Sequence, residues 1–211
     1  MKTLLAVLLL ALPVCAQDLP ADITPESQKK VTLTISYESV DARQFSYSPW
    51  SNGAVVSLAY RFNQRWEGIL AVELSDAQKA AIGNGSHQSG TLGARYYLRD
   101  AVFLVAGATV GRDKNDSYTK IAYRGFAGLG VKYAGIVGTV TAFAPPDSAV
   151  IDPNHVKGLA LTVEYFRPLF GPVGAYAATS GSLASFNATG NPGERFSGAS
   201  WRTRAGISLT F

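Results

Sequence analysis

Cysteine and histidine are scarce in this 211-residue chain, which contains only Cys15, His87 and His155. A single cysteine excludes an internal disulfide framework. The few cysteines and histidines do not have the short spacings of zinc ligands, and there is no glycine-rich phosphate loop. We therefore expect no cofactor and no metal ion.

Long apolar runs are also lacking after the first residues of the chain. The longest uncharged stretch, residues 168–192, is interrupted by Pro172 and several glycines, so no transmembrane helix is expected there. The formal net charge is +4 and the sequence pI is about 9.2, but the basic residues are dispersed. Dispersed charge does not make the basic patch that nucleic acids require, so we expect no nucleic-acid partner.

The first 16 residues have the pattern of an export signal. Lys2 is followed by the apolar residues 4–12 and by Val14-Cys15-Ala16 before Gln17, the order of a cleaved secretory signal. The alternative is a lipoprotein signal with Cys15 lipidated. We predict a signal peptide at 1–16, a flexible periplasmic lead-in at 17–29 and one folded domain at 30–211.

The C-terminal stretch 200–211 alternates with the period of a β-strand. Its two faces separate because side chains alternate along an extended chain. Arg202 and Arg204 fall on the polar face, while Trp201, Ile207 and Phe211 fall on the apolar face. Apolar side chains outward and arginine inward are typical of a barrel strand in lipid.

Similar segments recur along the rest of the chain, separated alternately by short turns and longer polar loops. The predicted strands are about 30–40, 54–62, 65–75, 90–98, 101–111, 120–133, 136–144, 158–166, 171–179 and 200–211. The predicted short connections are 63–64, 99–100, 134–135 and 168–170, and the predicted outer loops lie near 41–53, 76–89, 112–119, 145–157 and 180–199. We predict an all-β fold, a closed antiparallel up-and-down transmembrane β-barrel of ten strands. Eight strands are the alternative if the seventh and ninth do not span.

Charged side chains on the inward faces predict a network in the lumen. Its members are Glu38, Arg61, Glu67, Glu73, Arg95, Arg124, Lys132, Glu164, Arg202 and Arg204. We expect Glu38 to meet Arg202 and Arg204 where the last strand closes on the first, and Arg61 to lie opposite Glu67. The alternative is that these charges line a narrow, selective pore.

Aromatic residues on the outward faces cluster toward the short-turn end. They are Tyr60, Phe62, Trp66, Tyr96, Tyr133, Tyr165 and Phe211. Aromatic side chains are enriched where a transmembrane barrel meets the membrane interface, so these residues predict the lower aromatic girdle.

The signal peptide, the hairpin at 56–68 and the terminal segment 206–211 resemble small bacterial outer-membrane β-barrel proteins, the opacity-protein and OmpA/OmpW-like groups. The resemblance implies export to the bacterial outer membrane and contact with its lipid. It also implies that the barrel assembly machinery recognises the C-terminal strand at Phe211.

Three functional readings follow from these patterns. The first is a structural or narrow-pore, porin-like barrel filled by the Glu/Arg network. The second is an adhesin or interaction protein acting through extracellular loops 45–52 and 181–200, which carry the aromatic residues Tyr47, Trp50, Phe186 and Phe196.

The third and most distant reading is an esterase that modifies lipid A. His87-Gln88-Ser89 resembles the His-x-Ser pair of the outer-membrane lipid A deacylase family, which carries the pair on a strand. Here the pair is predicted to lie in a loop, and a serine nucleophile needs an oriented base. We therefore expect the protein not to be an enzyme.

A soluble, lipocalin-like barrel is a further alternative to a membrane barrel. It would require other parts of the protein to cover the apolar stripes on the outward faces of the strands.

Overall fold

Ten strands build the fold that a computed structural model of the chain describes for residues 30–43, 50–80, 83–115, 119–144, 157–188 and 191–211. The predicted signal peptide and lead-in, with Cys15, lie outside these residues. The strands are β1 (Lys30–Arg43), β2 (Trp50–Arg61), β3 (Trp66–Ala80), β4 (Gly83–Arg99), β5 (Val102–Asn115), β6 (Thr119–Tyr133), β7 (Ile136–Ala144), β8 (Lys157–Phe170), β9 (Val173–Ala188) and β10 (Asn191–Thr210).

Each strand pairs antiparallel with its neighbours in the chain, and β1 pairs with β10 to close the ring. The closing register runs from Thr32 opposite Thr210 to Arg43 opposite Ala199. The ten-strand prediction is therefore confirmed and the eight-strand alternative is wrong, because β7 and β9 each pair on both sides. Within the ring, every strand therefore has a hydrogen-bonded neighbour on both sides, which removes the two edge strands of an open sheet.

Two of the short turns form as the sequence indicates. After β2, Asn63 Oδ1 accepts hydrogen bonds from the backbone N–H groups of Arg65 at 2.8 Å and Trp66 at 2.9 Å. Between β6 and β7, Ala134 and Gly135 have φ of 46° and 82°, and Tyr133 lies opposite Ile136. Two consecutive positive φ values are those of a type I′ turn, which suits the twist of a β-hairpin.

The other two short turns lie slightly further along the chain than predicted. The turn between β4 and β5 is at Asp100 and Ala101 instead of 99–100, and the turn between β8 and β9 is at Gly171 and Pro172 instead of 168–170. Proline lacks the N–H group that a central strand donates to its neighbour, so Pro172 fits the turn and β9 begins after it.

The predicted outer loops near 76–89, 112–119 and 180–199 are largely strand. His87, predicted to lie in a loop, is on β4, and Trp50, Phe186 and Phe196 also lie on strands. Tyr47 and His155 are outside the described residues. Most strands are therefore longer than the alternating segments from which they were predicted.

The two faces of the wall differ as the alternation predicts. Ile35, Leu70, Leu92 and Leu129 are among the large apolar side chains exposed on the outside. Glu38 and Phe103 are fully buried in the interior. Within the described ranges, no helix has the length and hydropathy needed to cross a membrane.

Candidate functional site: the barrel lumen

Four charged side chains from β1, β3 and β10 form a cluster that we call the seam cluster: Glu38, Glu73, Arg202 and Arg204. Glu38 lies opposite Arg204 in the β1–β10 register, and Arg204 Nε donates to Glu38 Oε2. Arg202 Nη1 lies 3.5 Å from Glu38 Oε1 and 3.3 Å from Glu73 Oε2. The seam that closes the barrel is therefore also where two carboxylates and two guanidinium groups meet.

The charges of this cluster must compensate one another because Glu38 has no exposed surface. A buried charge is costly unless it is paired and hydrogen-bonded. Glu73, also buried, lies 4.0 Å from Arg204 Nη2 and so joins β3 to the seam. Removing one member of such a cluster leaves an uncompensated buried charge, which typically costs about 3–5 kcal/mol.

A second group, the cross-lumen bridge, consists of Glu67, Arg95 and Glu164. Arg95 Nη1 donates to Glu67 Oε1 at 2.7 Å, and Arg95 Nη2 donates to Glu164 Oε2 at 3.2 Å. Arg95 is on β4 and Glu164 is on β8, four strands away in a ring of ten. The Arg95 side chain therefore links nearly opposite sides of the wall through the interior.

Two tyrosines complete the hydrogen bonding of the cross-lumen bridge. Tyr97 Oη donates to Glu67 Oε2 at 3.2 Å, and Tyr176 Oη donates to Glu164 Oε1 at 3.0 Å. Both tyrosine side chains are buried. Each bridge carboxylate thus accepts from one arginine and one tyrosine, which stabilises its charge away from bulk water.

Apolar side chains pack around the same level of the lumen. Phe103, Tyr97, Val105 and Val137 form a buried cluster, with Phe126 and Phe166 packed against it. The Arg95 guanidinium carbon lies 5.2 Å from the centre of the Phe103 ring, within the range of a cation–π contact. The bridge and this aromatic cluster therefore pack against each other inside the barrel.

Three predicted members of the charge network stand apart from both groups. Arg61 lies opposite Glu67 in the register, as predicted, but its guanidinium makes its contacts elsewhere. Arg61 donates to the carbonyl groups of Asn63 and Gln64 at 3.3 and 2.9 Å and covers the Tyr97 ring at 4.5 Å. Lys132 is exposed at the short-turn end. Arg124 has no carboxylate partner among the described residues.

Described residues line two cavities in the lumen. The outer cavity, about 320 Å³, extends from the seam cluster toward the long hairpins, where Ser182 and Ser200 line it. The inner cavity, about 310 Å³, is bounded by Arg204 and Glu73 on one side and by Arg95 and Glu164 on the other. Glu73 and Arg204 of the seam cluster line both cavities, and the cross-lumen bridge lies at the inner end of the second.

The His-x-Ser pair lies on a strand after all, but it faces the lumen. His87 Nε2 lies 3.8 Å from Glu73 Oε1, and Ser89 Oγ lies 3.5 Å from Glu73 Oε2. Both side chains line the outer cavity. A serine nucleophile needs a hydrogen bond to a general base, whereas the Ser89 hydroxyl points at a carboxylate already paired with Arg202.

The predicted girdle residues lie at the short-turn end of the wall. Trp66 and Tyr96 are opposite each other on β3 and β4, with ring centres 4.8 Å apart. Phe62, Tyr133, Tyr165 and Phe211 are exposed and Tyr60 is half-buried. Tyr60 meets Phe62 edge to face, with ring centres 4.7 Å apart.

Sequence reasoning missed Tyr97, Tyr176 and Phe103 as lumen residues. Phe103 lies on β5, where both faces are apolar and the phase is ambiguous from sequence alone. A signal for Tyr97 was present, because Arg95 was predicted to face inward and residue 97 has the same phase. Tyr176 could be assigned only once the start of β9 was known.

No protein-family model matches the chain, and no curated protein matches it in sequence. Among solved structures, the chain is similar to surface protein A of Neisseria, with a TM-score of 0.43 and 14% identity over 86% of this chain and 97% of that one. For the outer membrane protein OprG from Pseudomonas aeruginosa the TM-score is 0.39 and the identity is 12%, over 90% of this chain and 99% of that one. For the Yersinia pestis outer membrane protein Ail the TM-score is 0.44 and the identity is 14%, over 87% of this chain and 100% of that one. These similarities concern the barrel fold alone.

Proposed function

We propose that this protein is an outer-membrane β-barrel with a structural, non-catalytic lumen that is closed to solutes. The observation that carries the proposal is the link from Glu67 through Arg95 to Glu164, packed against Phe103. A pore needs a continuous water path, and barrels of about this size are normally filled by side chains. The alternative reading is a narrow pore that passes beside this link.

The outer surface supports a location in lipid. Tyr123 and Tyr133 on β6 are an exposed pair ten residues apart, and so are Trp201 on β10 and Phe211 directly after it. Ten residues span about 33 Å along a strand. With a strand tilt of roughly 40° this corresponds to about 25 Å along the membrane normal, the height of the apolar band in outer-membrane barrels.

A membrane location predicts two properties of the protein expressed with its full N-terminus. The barrel should remain in the membrane fraction after a carbonate wash, because the exposed apolar band has no other cover. It should also migrate differently on a gel before and after heating in detergent, because a closed barrel resists denaturation by the detergent alone. Release by carbonate, with no change of migration on heating, would favour a soluble barrel.

The closed-lumen proposal is tested by planar-bilayer recording. The wild-type barrel should give no conductance above the lipid background. Arg95→Ala with Phe103→Ala should give conductance steps, because the two substitutions remove the cross-lumen link and the fully buried aromatic ring packed on it. A stable wild-type conductance would overturn the closed-lumen proposal in favour of the narrow pore.

The matched control for the recording is Arg99→Ala. Arg99 is exposed near the short turn that follows β4, so the variant loses the same charge outside the lumen. It should remain as silent as the wild type. Conductance in Arg99→Ala equal to that of the double variant would mean that general destabilisation, and not the lumen, controls the current.

A second candidate function is contact with an extracellular partner through the long hairpins. The hairpin of β9 and β10 continues to Ala188 and Asn191, ten residues beyond the exposed Trp201. Because the register shifts between Asn191 and Arg195, β9 covers the same interval in seven residues, from Gly181 to Ala188, or about 23 Å. Such a hairpin extends past the membrane and offers a paired, polar surface on the outside of the cell.

A further inference from the structure

Arg124 lies in the lumen and has no acid partner among the described residues. Its side chain lines the outer cavity, and its Nε is buried without a hydrogen-bond partner in the described part of the chain. A buried donor without an acceptor is unfavourable in a folded protein. Such a group therefore requires an explanation, and an absent ligand is one.

The charge balance of the cavity points to an anionic ligand. Three arginines line the outer cavity: Arg124, Arg202 and Arg204. The carboxylates of Glu38 and Glu73 pair with Arg202 and Arg204. Arg124 is therefore the one arginine of the three without an acid partner among the described residues. Its guanidinium can donate two parallel hydrogen bonds to a carboxylate.

Hydroxyl groups on the neighbouring strands provide further polar contacts. Thr141, Thr162 and Ser180 line the same cavity, and Thr162 lies opposite Ser180 in the β8–β9 register. By contrast, Thr91 and Thr109, which also line the cavity, already bond to each other at 2.9 Å. Within the described ranges, the hydroxyls of Thr141, Thr162 and Ser180 have no side-chain hydrogen bond, so they can bind the hydroxyl groups of a ligand.

Aromatic surface lies beside the free cation. Phe126 and Phe143 line the cavity and are opposite each other on β6 and β7. Phe126 is two residues from Arg124, on the same face of β6. The cavity thus combines one unpaired guanidinium, several free hydroxyls and an aromatic wall, and its volume of about 320 Å³ is at the lower end of the range of small-molecule sites.

We propose that the outer cavity binds a small polyhydroxylated carboxylate of the acidic monosaccharide class, with Arg124 holding the carboxylate. The hydroxyls of Thr141, Thr162 and Ser180 bind the hydroxyl groups of the ligand, and Phe126 and Phe143 cover the apolar face of its ring. The cavity lies on the hairpin side of the seam cluster, so the ligand enters from outside the cell and does not pass the cross-lumen bridge.

The test is calorimetric titration of the folded full chain in detergent with glucuronate, glucose and inorganic phosphate. Glucuronate should bind and raise the unfolding temperature. Glucose, which lacks the carboxylate, should bind more weakly by roughly tenfold or more, the difference expected for one hydrogen-bonded ion pair. Phosphate should also bind more weakly than glucuronate, because it cannot use the aromatic wall.

Arg124→Ala should lose the preference for glucuronate over glucose without lowering the unfolding temperature of the ligand-free barrel, because it removes a half-buried cation that has no acid partner among the described residues. The control Arg112→Ala removes an exposed arginine from β5 and should bind glucuronate like the wild type. Absence of glucuronate binding by the wild type, or unchanged binding by Arg124→Ala, would overturn the site. Phosphate binding as tight as glucuronate binding would overturn the saccharide assignment.

Discussion

Glu38→Arg is expected to lower the free energy of unfolding of the barrel by at least about 3–5 kcal/mol. The Glu38 side chain has no exposed surface and contacts both Arg202 and Arg204. Loss of one partner from a buried ion pair costs about this much, and the substitution also adds a third cation. Unfolding in detergent, followed by the change in gel migration with temperature or urea, measures the loss.

The matched control exchanges the acid and the base between positions 38 and 204. Glu38→Arg combined with Arg204→Glu again sets an acid opposite a base in the β1–β10 register, and Arg202 keeps Glu73 as its partner. The double variant should recover a large part of the lost stability, because contacting charges are not additive. An unfolding midpoint of Glu38→Arg equal to that of the wild type would refute the seam pairing.

The strands in the apolar band could be predicted because lipid and lumen demand different side chains at successive positions. On β2, Val56 and Leu58 alternate with Ser57 and Ala59, so the side facing out is evident from sequence. For β7 the predicted range 136–144 agrees with the structure. Turn residues such as Ala134 and Gly135 then indicated the register, and an even number of strands is compatible with an antiparallel ring.

The outer ends of the strands could not be predicted for the same physical reason. Beyond the membrane both faces of a hairpin meet water, so alternation is lost and the segment looks like a loop. Residues 180–199, predicted to be a loop, lie largely on β9 and β10. There the cross-strand contacts are polar, such as Ser182 with Ser200 at 2.7 Å, and the backbone ladder maintains the extended structure.

The lumen contacts were predictable only between neighbouring strands. The meeting of Glu38 and Arg204 follows from closure of β10 on β1, because the register sets them opposite each other. The contact between Arg95 and Glu164 does not, since β4 and β8 are not paired and only the curvature of the wall brings these side chains together. For the same reason, sequence could not separate Arg124 from the paired arginines.

Closure of the barrel also depends on the absence of a side chain at Gly206. This residue lies opposite Ser36 in the β1–β10 register. A Cβ atom added there would lie 2.6 Å from the Ser36 Cα atom and closer still to the Ile35 carbonyl oxygen. Both neighbours are backbone atoms of β1, so no side-chain rotation can relieve the clash, and β1 itself would have to move away from β10.

Gly206→Val is therefore expected to prevent stable closure, with a loss of about 3 kcal/mol or more, at the upper end of what overpacking costs. Ala205→Val is the matched control, because Ala205 is the next residue on β10 and its side chain is exposed on the outside. The fraction of each variant that shows heat-dependent migration after refolding in detergent measures closure. Equal folded fractions and unfolding midpoints for the two variants would show that β1 can withdraw at the seam without cost. In that case the Glu38 and Arg204 pair, and not the close approach at Gly206, would set the stability of the closing strands.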